Sequence, residues 1–101
     1  MAGAQEAQPS RPLVRVLAAL SDENRFRIVE LLSVEAADLS CGKIGQALGL
    51  SPSLISHHLS VLETAGVIER RKNGLWTLNR LRREELRAHL AVLEGLLRPV
   101  A

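Results

Sequence analysis

The sequence predicts a mainly α-helical domain with one small β-hairpin, in which five helices and two strands follow in the order α-α-α-α-β-β-α. The 101 residues suffice for one modest hydrophobic core. The chain is 47% hydrophobic but only 2% aromatic, so Leu, Val, Ile and Ala must build that core, and such a composition favours helices. Apolar residues recur at helical spacing along most of the chain, except around Asn73-Gly74, where two strand-like segments meet.

Two helices are predicted before residue 34. The first follows Pro12, because apolar residues recur there at helical spacing, namely Leu13, Val14, Leu17 and Leu20. Ser21 is expected to cap a second helix over residues 22–33. The apolar face of that helix is predicted to consist of Phe26, Val29 and Leu32. Residues 1–12 have almost nothing to bury and are predicted to form a disordered arm, which leaves residues 13–101 as the folded domain.

The next two helices are predicted to form a helix-turn-helix. Ser40 is suited to cap a helix over residues 41–48, and Gly49 follows where a left-handed residue is needed. Ser51 and Pro52 then occupy the N-cap and the first position of another helix, which ends before Gly66. Because the connection between these two helices is so short, they must pack closely against each other.

A hairpin and a last helix complete the predicted fold. Asn73-Gly74 suits a two-residue turn with positive φ at both positions. Such a turn would pair Lys72 with Leu75, Arg71 with Trp76, and Arg70 with Thr77. The last helix is predicted from about residue 82 to residue 98, with a stripe of Leu86, Leu90, Leu93 and Leu97.

The helix that starts at Pro52 is predicted to have two different faces. At about 100° per residue, small polar residues fall together on one side: Ser53, Ser56, His57 and Ser60. Such a face suits the major groove of DNA, since hydroxyls can donate or accept at base edges and a histidine reaches further. The other side carries Ile55, His58, Leu59 and Leu62. His58 is therefore expected at the edge of the core, hydrogen-bonded to a neighbouring helix.

Positive charge is concentrated in the hairpin and in the first turns of the last helix. Residues 66–87 carry seven Arg or Lys residues against three Glu, a net charge of +4, whereas the remainder is −2. Arg70, Arg71 and Lys72 lie near the hairpin tip, where they can meet phosphates or a minor groove while the helix occupies the major groove. This arrangement is a winged helix-turn-helix and predicts double-stranded DNA as the partner. Trp76 can stack on a base, but a lone indole on a hairpin is more often packed.

Two segments, ALSDENRFRIVELL from Ala19 and KIGQALGLSPSLISHHLSVLETAGVIERRKNGLWTLNRL from Lys43, resemble the ArsR/SmtB family of bacterial transcriptional regulators. The resemblance covers residues 19–81. It implies a regulator that reads an inverted-repeat DNA operator as a homodimer. It also implies that the serine and histidine face reads the DNA, with Arg71 and Lys72 on the wing.

The same resemblance implies that the dimer forms through the first and last helices. The residue pattern agrees, because both helices carry leucine-rich faces that a lone chain of this length would struggle to cover. The predicted interface consists of Leu13, Leu17, Leu20, Leu86, Leu90, Leu93 and Leu97.

The family's familiar metal sites do not match this sequence. Metal sensors often carry ELCVCDL at the start of the third helix, but this chain reads DLSCGKI, with Ser40 and Gly42 in place of the two cysteines. The second common site would require ligands at Arg80, Arg82, Leu93 and Leu96. We therefore expect DNA binding without an obligatory metal. Cys41 is either a sensor thiol or, more commonly, a small buried hydrophobe.

One alternative metal site remains. Glu85 and His89 lie four residues apart on one helical face, and a two-fold axis could join two such pairs into a weak zinc or nickel site. An ordinary Glu/His surface pair is the commoner arrangement.

Other classes of protein are less well supported. A catalytic role is not expected, because no nucleophile, base and orienting group converge in the sequence. The longest apolar run, Val16–Leu20, is too short to span a membrane, so a cytoplasmic location without membrane contact is predicted. The competing function is a winged helix that binds only a partner protein. The salt dependence of the affinity distinguishes DNA binding from protein binding. Phosphate contacts weaken steeply as ionic strength rises, whereas an apolar protein interface changes little.

Overall fold

The computed structural model describes residues 11–100. These residues form five helices and a three-stranded antiparallel sheet. The elements are α1 (Arg11–Leu20), α2 (Glu23–Ser33), β1 (Leu39–Ser40), α3 (Cys41–Leu48), α4 (Pro52–Thr64), β2 (Ile68–Asn73), β3 (Trp76–Leu81) and α5 (Arg83–Gly95). The predicted fold class and helix order are confirmed. In the part of the chain that is described, no helix has both the length and the apolarity needed to cross a membrane.

The predicted boundary of the N-terminal arm differs from the structure. Residues 1–10 of that arm lie outside the described residues. Arg11 and Pro12 form the start of α1 rather than the end of the arm. The proline costs the helix nothing there, because its missing N–H is not needed in the first turn.

The core is aliphatic, as the composition predicts. Its buried members are Val16, Ala19, Ile28, Leu32, Ile44, Ile55, Leu59, Leu62, Val67 and Ile68. The predicted apolar face of α2 was wrong only at Phe26, which is 48% exposed. Leu32 is buried and Val29 packs against the core as predicted, and Ile28 is buried instead of Phe26. Phe26 and Ile28 lie two residues, or about 200°, apart on a helix, so they cannot share a buried side.

The start of α2 is capped one residue later than predicted. Asp22, not Ser21, is the N-cap, and its carboxylate accepts hydrogen bonds from the backbone N–H groups of Asn24 (2.9 Å) and Arg25 (3.1 Å). The bond from the Arg25 N–H holds the pKa of Asp22 below its ordinary value. The Ser21 hydroxyl instead donates to the Ala18 carbonyl at 2.6 Å.

The sheet contains a strand that the sequence pattern does not reveal. Its order is β1-β3-β2, and β1 pairs antiparallel with β3 through only two residues, with Leu39 opposite Asn79. Two residues are too few for a periodic signal, so no strand was predicted here.

The register of the hairpin is shifted by two residues from the prediction. Asn73 pairs with Trp76 and Lys72 pairs with Thr77, so the turn is Gly74-Leu75 rather than Asn73-Gly74. Gly74 has a φ of 64°. Between residues 11 and 100 only glycines have a positive φ, so the φ of Leu75 is negative. Positive φ at the first central residue alone is what a type II′ turn requires.

Candidate nucleic-acid interface

The close approach of α3 and α4 depends on Gly45. A Cβ atom at this position would lie 3.1 Å from the Leu50 carbonyl oxygen and 3.3 Å from Cγ1 of Ile55. Gly49, with φ of 70°, ends α3 in the left-handed conformation as predicted. The backbone N–H of Leu50 then donates to the Gly45 carbonyl at 3.0 Å. These contacts fix the angle at which α4 leaves the turn.

The first turn of α4 is built as the sequence predicts. The Ser51 hydroxyl accepts a hydrogen bond from the Leu54 N–H at 3.3 Å, and Pro52 occupies the first helical position. The cap satisfies an N–H group that the helix itself leaves unpaired. The helix therefore begins at a defined residue, which sets which side chains face outward.

The two predicted faces of α4 are confirmed. The inner face is buried and consists of Ile55, His58, Leu59 and Leu62. The outer face is exposed and consists of Ser53, Ser56, His57 and Ser60. A helix with an apolar inner face and an outer face of three hydroxyls and one imidazole is held firmly by the domain while its hydrogen-bonding groups face solvent.

His58 ties α4 to its neighbours, as predicted. Its side chain is 5% exposed, and its Nδ1 lies 3.3 Å from Nη1 of Arg25. A guanidinium can only donate, so Nδ1 accepts and the ring hydrogen resides on Nε2, 4.0 Å from the Asp22 carboxylate. Arg25 also donates from Nε to the Ala19 carbonyl at 2.6 Å. One arginine thus links α1, α2 and α4 and orients the exposed face.

Exposure along the hairpin increases from its base to its tip. Ile68 is 1% exposed at the base, whereas Leu75 is 100% exposed at the turn. Strand β2 follows α4 through residues 65–67, and the Val67 N–H donates to the Leu62 carbonyl at 2.9 Å. The hairpin therefore projects from the end of the same helix that presents the serine and histidine face.

The three basic residues predicted for the wing have different environments. Arg70 points toward the protein, where Nε donates to the Asn79 Oδ1 at 3.1 Å and Nη2 lies 3.5 Å from the Cys41 sulfur. Arg71 forms an ion pair with Asp38 at 3.3 Å. Lys72 is exposed and has no ion pair with the residues of the described region. Arg70 thus connects β2 to β3 and to the start of α3, and its predicted role as a phosphate ligand stays a prediction.

Asn79 is the centre of a buried link that sequence reasoning missed. It is 0% exposed, and its Nδ2 donates to the Leu39 carbonyl at 3.0 Å. The same nitrogen lies 3.5 Å from the sulfur of Cys41. Asn79 joins β1, β3 and the start of α3, and only the unpredicted strand β1 brings these segments together. Cys41 therefore packs against the hydrophobic core and also has two polar groups, from Asn79 and Arg70, near its sulfur.

The leucines predicted for the dimer interface divide into two groups. Leu13 is 4% exposed, and Leu20 and Leu86 pack against the core of the same chain. Leu13 is therefore buried within the single chain, which the prediction of an exposed interface leucine did not anticipate. The exposed members are Leu17 (43%), Leu90 (57%), Leu93 (36%) and Leu97 (80%). They lie on α1 and on α5 or just beyond it, and these two helices contact each other.

Glu85 and His89, the two candidate metal ligands, are not both fully accessible to a metal ion. Glu85 accepts a hydrogen bond from Nη2 of Arg82 at 2.9 Å. Its own backbone N–H, together with Arg82, lowers the pKa of Glu85 from its ordinary value. His89 is half-buried. Within the described region, no three His, Cys, Asp or Glu residues are grouped closely enough to hold a metal ion.

Comparison with known proteins agrees with this geometry. Residues 22–70 match the family described as "Bacterial regulatory protein, arsR family". A putative arsenical resistance operon repressor of Halobacterium salinarum is 41% identical over 63 residues, which are 62% of this chain but only 49% of the relative. The uncharacterized HTH-type transcriptional regulator YceK of Bacillus subtilis is 32% identical over 75% of this chain and 76% of its own length.

The fold has a close structural match as well. The solution structure of the homodimeric winged helix-turn-helix DNA-binding domain Mb0332 of Mycobacterium bovis superposes with a TM-score of 0.74 at 25% identity. The match covers 96% of this chain and 90% of that domain. The family match falls on α2 through the start of β2, which includes the helix-turn-helix and its exposed face. The chain therefore belongs to the ArsR family of bacterial transcriptional regulators and has a winged helix-turn-helix fold.

Proposed function

We propose that this chain binds an inverted-repeat DNA operator as a homodimer and so regulates transcription. The observation that carries the proposal is the exposed row of Ser53, Ser56, His57 and Ser60 on a helix that is anchored through His58 and Arg25. A base-reading helix must keep one orientation, because a hydrogen bond to a base edge tolerates little displacement.

The outer face of α4 supplies the chemistry for reading bases. Serine hydroxyls donate or accept, and their small size allows the helix backbone to approach the floor of the major groove. His57 is the largest member of this row and extends furthest from the axis. Its imidazole offers a donor or an acceptor at a base edge. We assign sequence discrimination chiefly to His57 and close approach to the three serines.

The wing supplies non-specific affinity. Lys72 is exposed and pairs with no carboxylate between residues 11 and 100, so it can meet a phosphate without first breaking such an ion pair. Arg71 can do the same only by leaving Asp38. Each phosphate that a cation neutralises releases condensed counterions, and the affinity then falls as salt rises. Lys72 is accordingly the principal phosphate contact of the hairpin.

Dimerisation is supported by the exposed leucines of α1 and α5. Leu17, Leu90, Leu93 and Leu97 are all more than one third exposed in the single chain. Burying a leucine contributes about 1.5–3 kcal/mol, so a second copy would gain most by covering this surface. Mb0332, which shares this fold, is described as homodimeric. A symmetric dimer would place two α4 helices about 34 Å apart, in successive major grooves of an inverted repeat.

An effector is a separate part of the proposal. The Halobacterium relative is named for arsenical resistance, which supports a search for metal or metalloid responses. We propose DNA binding without an obligatory metal, with Glu85 and His89 as a weak zinc or nickel site across the dimer axis. Because operator DNA lies in the cytoplasm, we place the protein there.

Selection of bound sequences from random duplex DNA tests this function. An inverted repeat should emerge, and the affinity for it should fall steeply with salt. His57→Ala should reduce the preference for the selected sequence over random DNA. Lys72→Ala should weaken both duplexes equally and lower the salt slope by about one. Failure to retain any duplex at low salt would contradict the proposal and favour the protein-interaction alternative.

A further inference from the structure

The tip of the hairpin exposes two large apolar side chains in succession. Leu75 is 100% exposed and Trp76 is 64% exposed. Of the two alternatives that the sequence left for Trp76, packing against the domain was the commoner, and an exposure of 64% contradicts it. A single exposed apolar residue is ordinary, but two adjacent ones at the end of a projecting hairpin indicate a surface that meets another molecule.

We propose that Leu75 and Trp76 form an apolar wedge that enters the minor groove of duplex DNA and partly unstacks a base-pair step. This inference rests on the proposed DNA-binding function. It adds a second mode of contact, in which the duplex is deformed and not merely held by its phosphates.

The dimensions of the hairpin fit this role. The exposed part of β2 and the turn, from Arg71 to Gly74, spans about 10 Å at about 3.3 Å per residue. The minor groove is about 7.5 Å deep and about 6 Å wide. The tip can therefore reach the floor of the groove. Two strands about 4.8 Å apart with their side chains exceed its width, so the groove must widen when the tip enters. Inserting an apolar side chain between base pairs opens the groove in this way.

The surroundings of the tip select DNA over an apolar partner. Lys72 lies two residues before the turn glycine, on the strand that leads to Leu75, and its exposed ammonium forms no ion pair with residues 11–100. Asn73 is paired with Trp76 across the hairpin. Its amide can donate to the acceptors that A·T pairs present in the minor groove. A cation, a hydrogen-bond donor and an apolar wedge are the groups that minor-groove proteins combine.

A wedge gives a sequence preference without base contacts. Pyrimidine–purine steps such as TA and CA/TG unstack most easily, so the cost of inserting Leu75 or Trp76 is lowest there. We expect such steps at the positions that face the wings, outside the bases read by α4.

The single tryptophan allows a direct test. Trp76 is the only tryptophan and the chain has no tyrosine, so the indole emission reports on this position alone. The full chain is titrated into a fluorescein-labelled mixed-sequence duplex of about 30 bp, long enough for two half-sites, at low salt. The anisotropy of the label measures binding, while emission and acrylamide quenching measure the environment of Trp76. The wedge predicts that emission falls and that acrylamide access is lost as the duplex saturates.

Two variants and a control complete the test. Trp76→Ala should lower duplex affinity about 5- to 140-fold, the range for losing one base–aromatic stack. Leu75→Ser should reduce the bend measured by energy transfer between the duplex ends. Val34→Ser removes a side chain that is 78% exposed outside the hairpin and α4, and should leave affinity and bend unchanged.

The possible outcomes test the wedge and the proposed DNA binding separately. Binding with unchanged Trp76 emission, or an unchanged bend with Leu75→Ser, would refute the wedge and leave DNA binding intact. Shielding of Trp76 that grows with protein concentration in the absence of DNA would assign the tip to a second copy of the chain and refute the wedge. No rise in anisotropy at low salt would refute both the wedge and the proposed function.

Discussion

Asn79→Ala should destabilise the protein far more than a usual polar substitution in a hairpin. The side chain is 0% exposed, and it donates to the Leu39 carbonyl at 3.0 Å while accepting from Nε of Arg70 at 3.1 Å. A neutral hydrogen bond contributes about 0.5–1.5 kcal/mol and one to a charged group about 1.5–3 kcal/mol. Because Arg70 is only half-buried, water can accept part of the hydrogen bonding that Arg70 loses when Asn79 is replaced.

The expected loss is therefore about 2–3 kcal/mol, toward the lower end of the combined range for the two bonds. A small domain typically has about 5–15 kcal/mol of total stability. The melting temperature should fall by about 10–20 °C for a domain of this size. Far-UV circular dichroism during urea and thermal unfolding measures both quantities, at one protein concentration because a dimer's stability depends on it.

Asn73→Ala is the matched control, since Asn73 is an exposed asparagine on the same hairpin. The reasoning would be refuted if Asn79→Ala and Asn73→Ala lowered the free energy of unfolding by equal amounts. A double-mutant cycle with Arg70→Ala adds a second check, because two side chains in one hydrogen bond should show losses that do not add. Additive losses would mean that the bond between Arg70 and Asn79 contributes nothing.

Three other substitutions probe the dimer interface, the wing and the cap of α2. Leu93→Glu, on the exposed face of α5, should turn the dimer into monomers in sedimentation experiments; an intact folded dimer would contradict the interface. Asp38→Asn should release Arg71 and raise the affinity for all duplexes about 1.4- to 5-fold, as expected for an exposed ion pair, whereas Glu84→Gln should not. Asp22→Ala should lower the melting temperature at neutral pH. Because the folded-state pKa of Asp22 lies below its ordinary value of 3.8, that stabilisation is present above this value and is lost as pH falls through the lowered pKa. A difference between Asp22→Ala and the native chain that stays constant down to pH values well below the pKa would oppose this assignment.

The helical part of the fold could be predicted because its signals are local. Caps such as Ser51 and the left-handed Gly49 depend on neighbours a few residues away, and so does the division of α4 into two faces. The errors at Ser21 and Phe26 were of the same local kind, since two adjacent residues could each cap α2 and two apolar stripes could each have been buried.

The environment of the wing could not be predicted in this way. Arg71 and Asp38 are 33 residues apart, and Arg70 and Cys41 are 29 residues apart. No periodicity links such positions, so the charge pattern alone treated Arg70, Arg71 and Lys72 as equivalent. The turn was misplaced for a related reason: Asn-Gly favours one turn type, but positive φ at Gly74 alone allows another that moves the register by two residues.

The short strand β1 has a consequence for the order in which the chain folds. The Asn79 side chain and the Leu39 carbonyl are 40 residues apart in sequence, whereas the caps and turns of α3 and α4 connect neighbours. Closing a long loop costs entropy, and this cost is offset only after the long-range contacts have formed. The helices should therefore pack together before β1 docks on β3. The two-residue ladder is then the last part to form and the first to open. Amide hydrogens of residues 39 and 40 should exchange with solvent faster than those of the buried turns of α4, even while the rest of the domain stays folded.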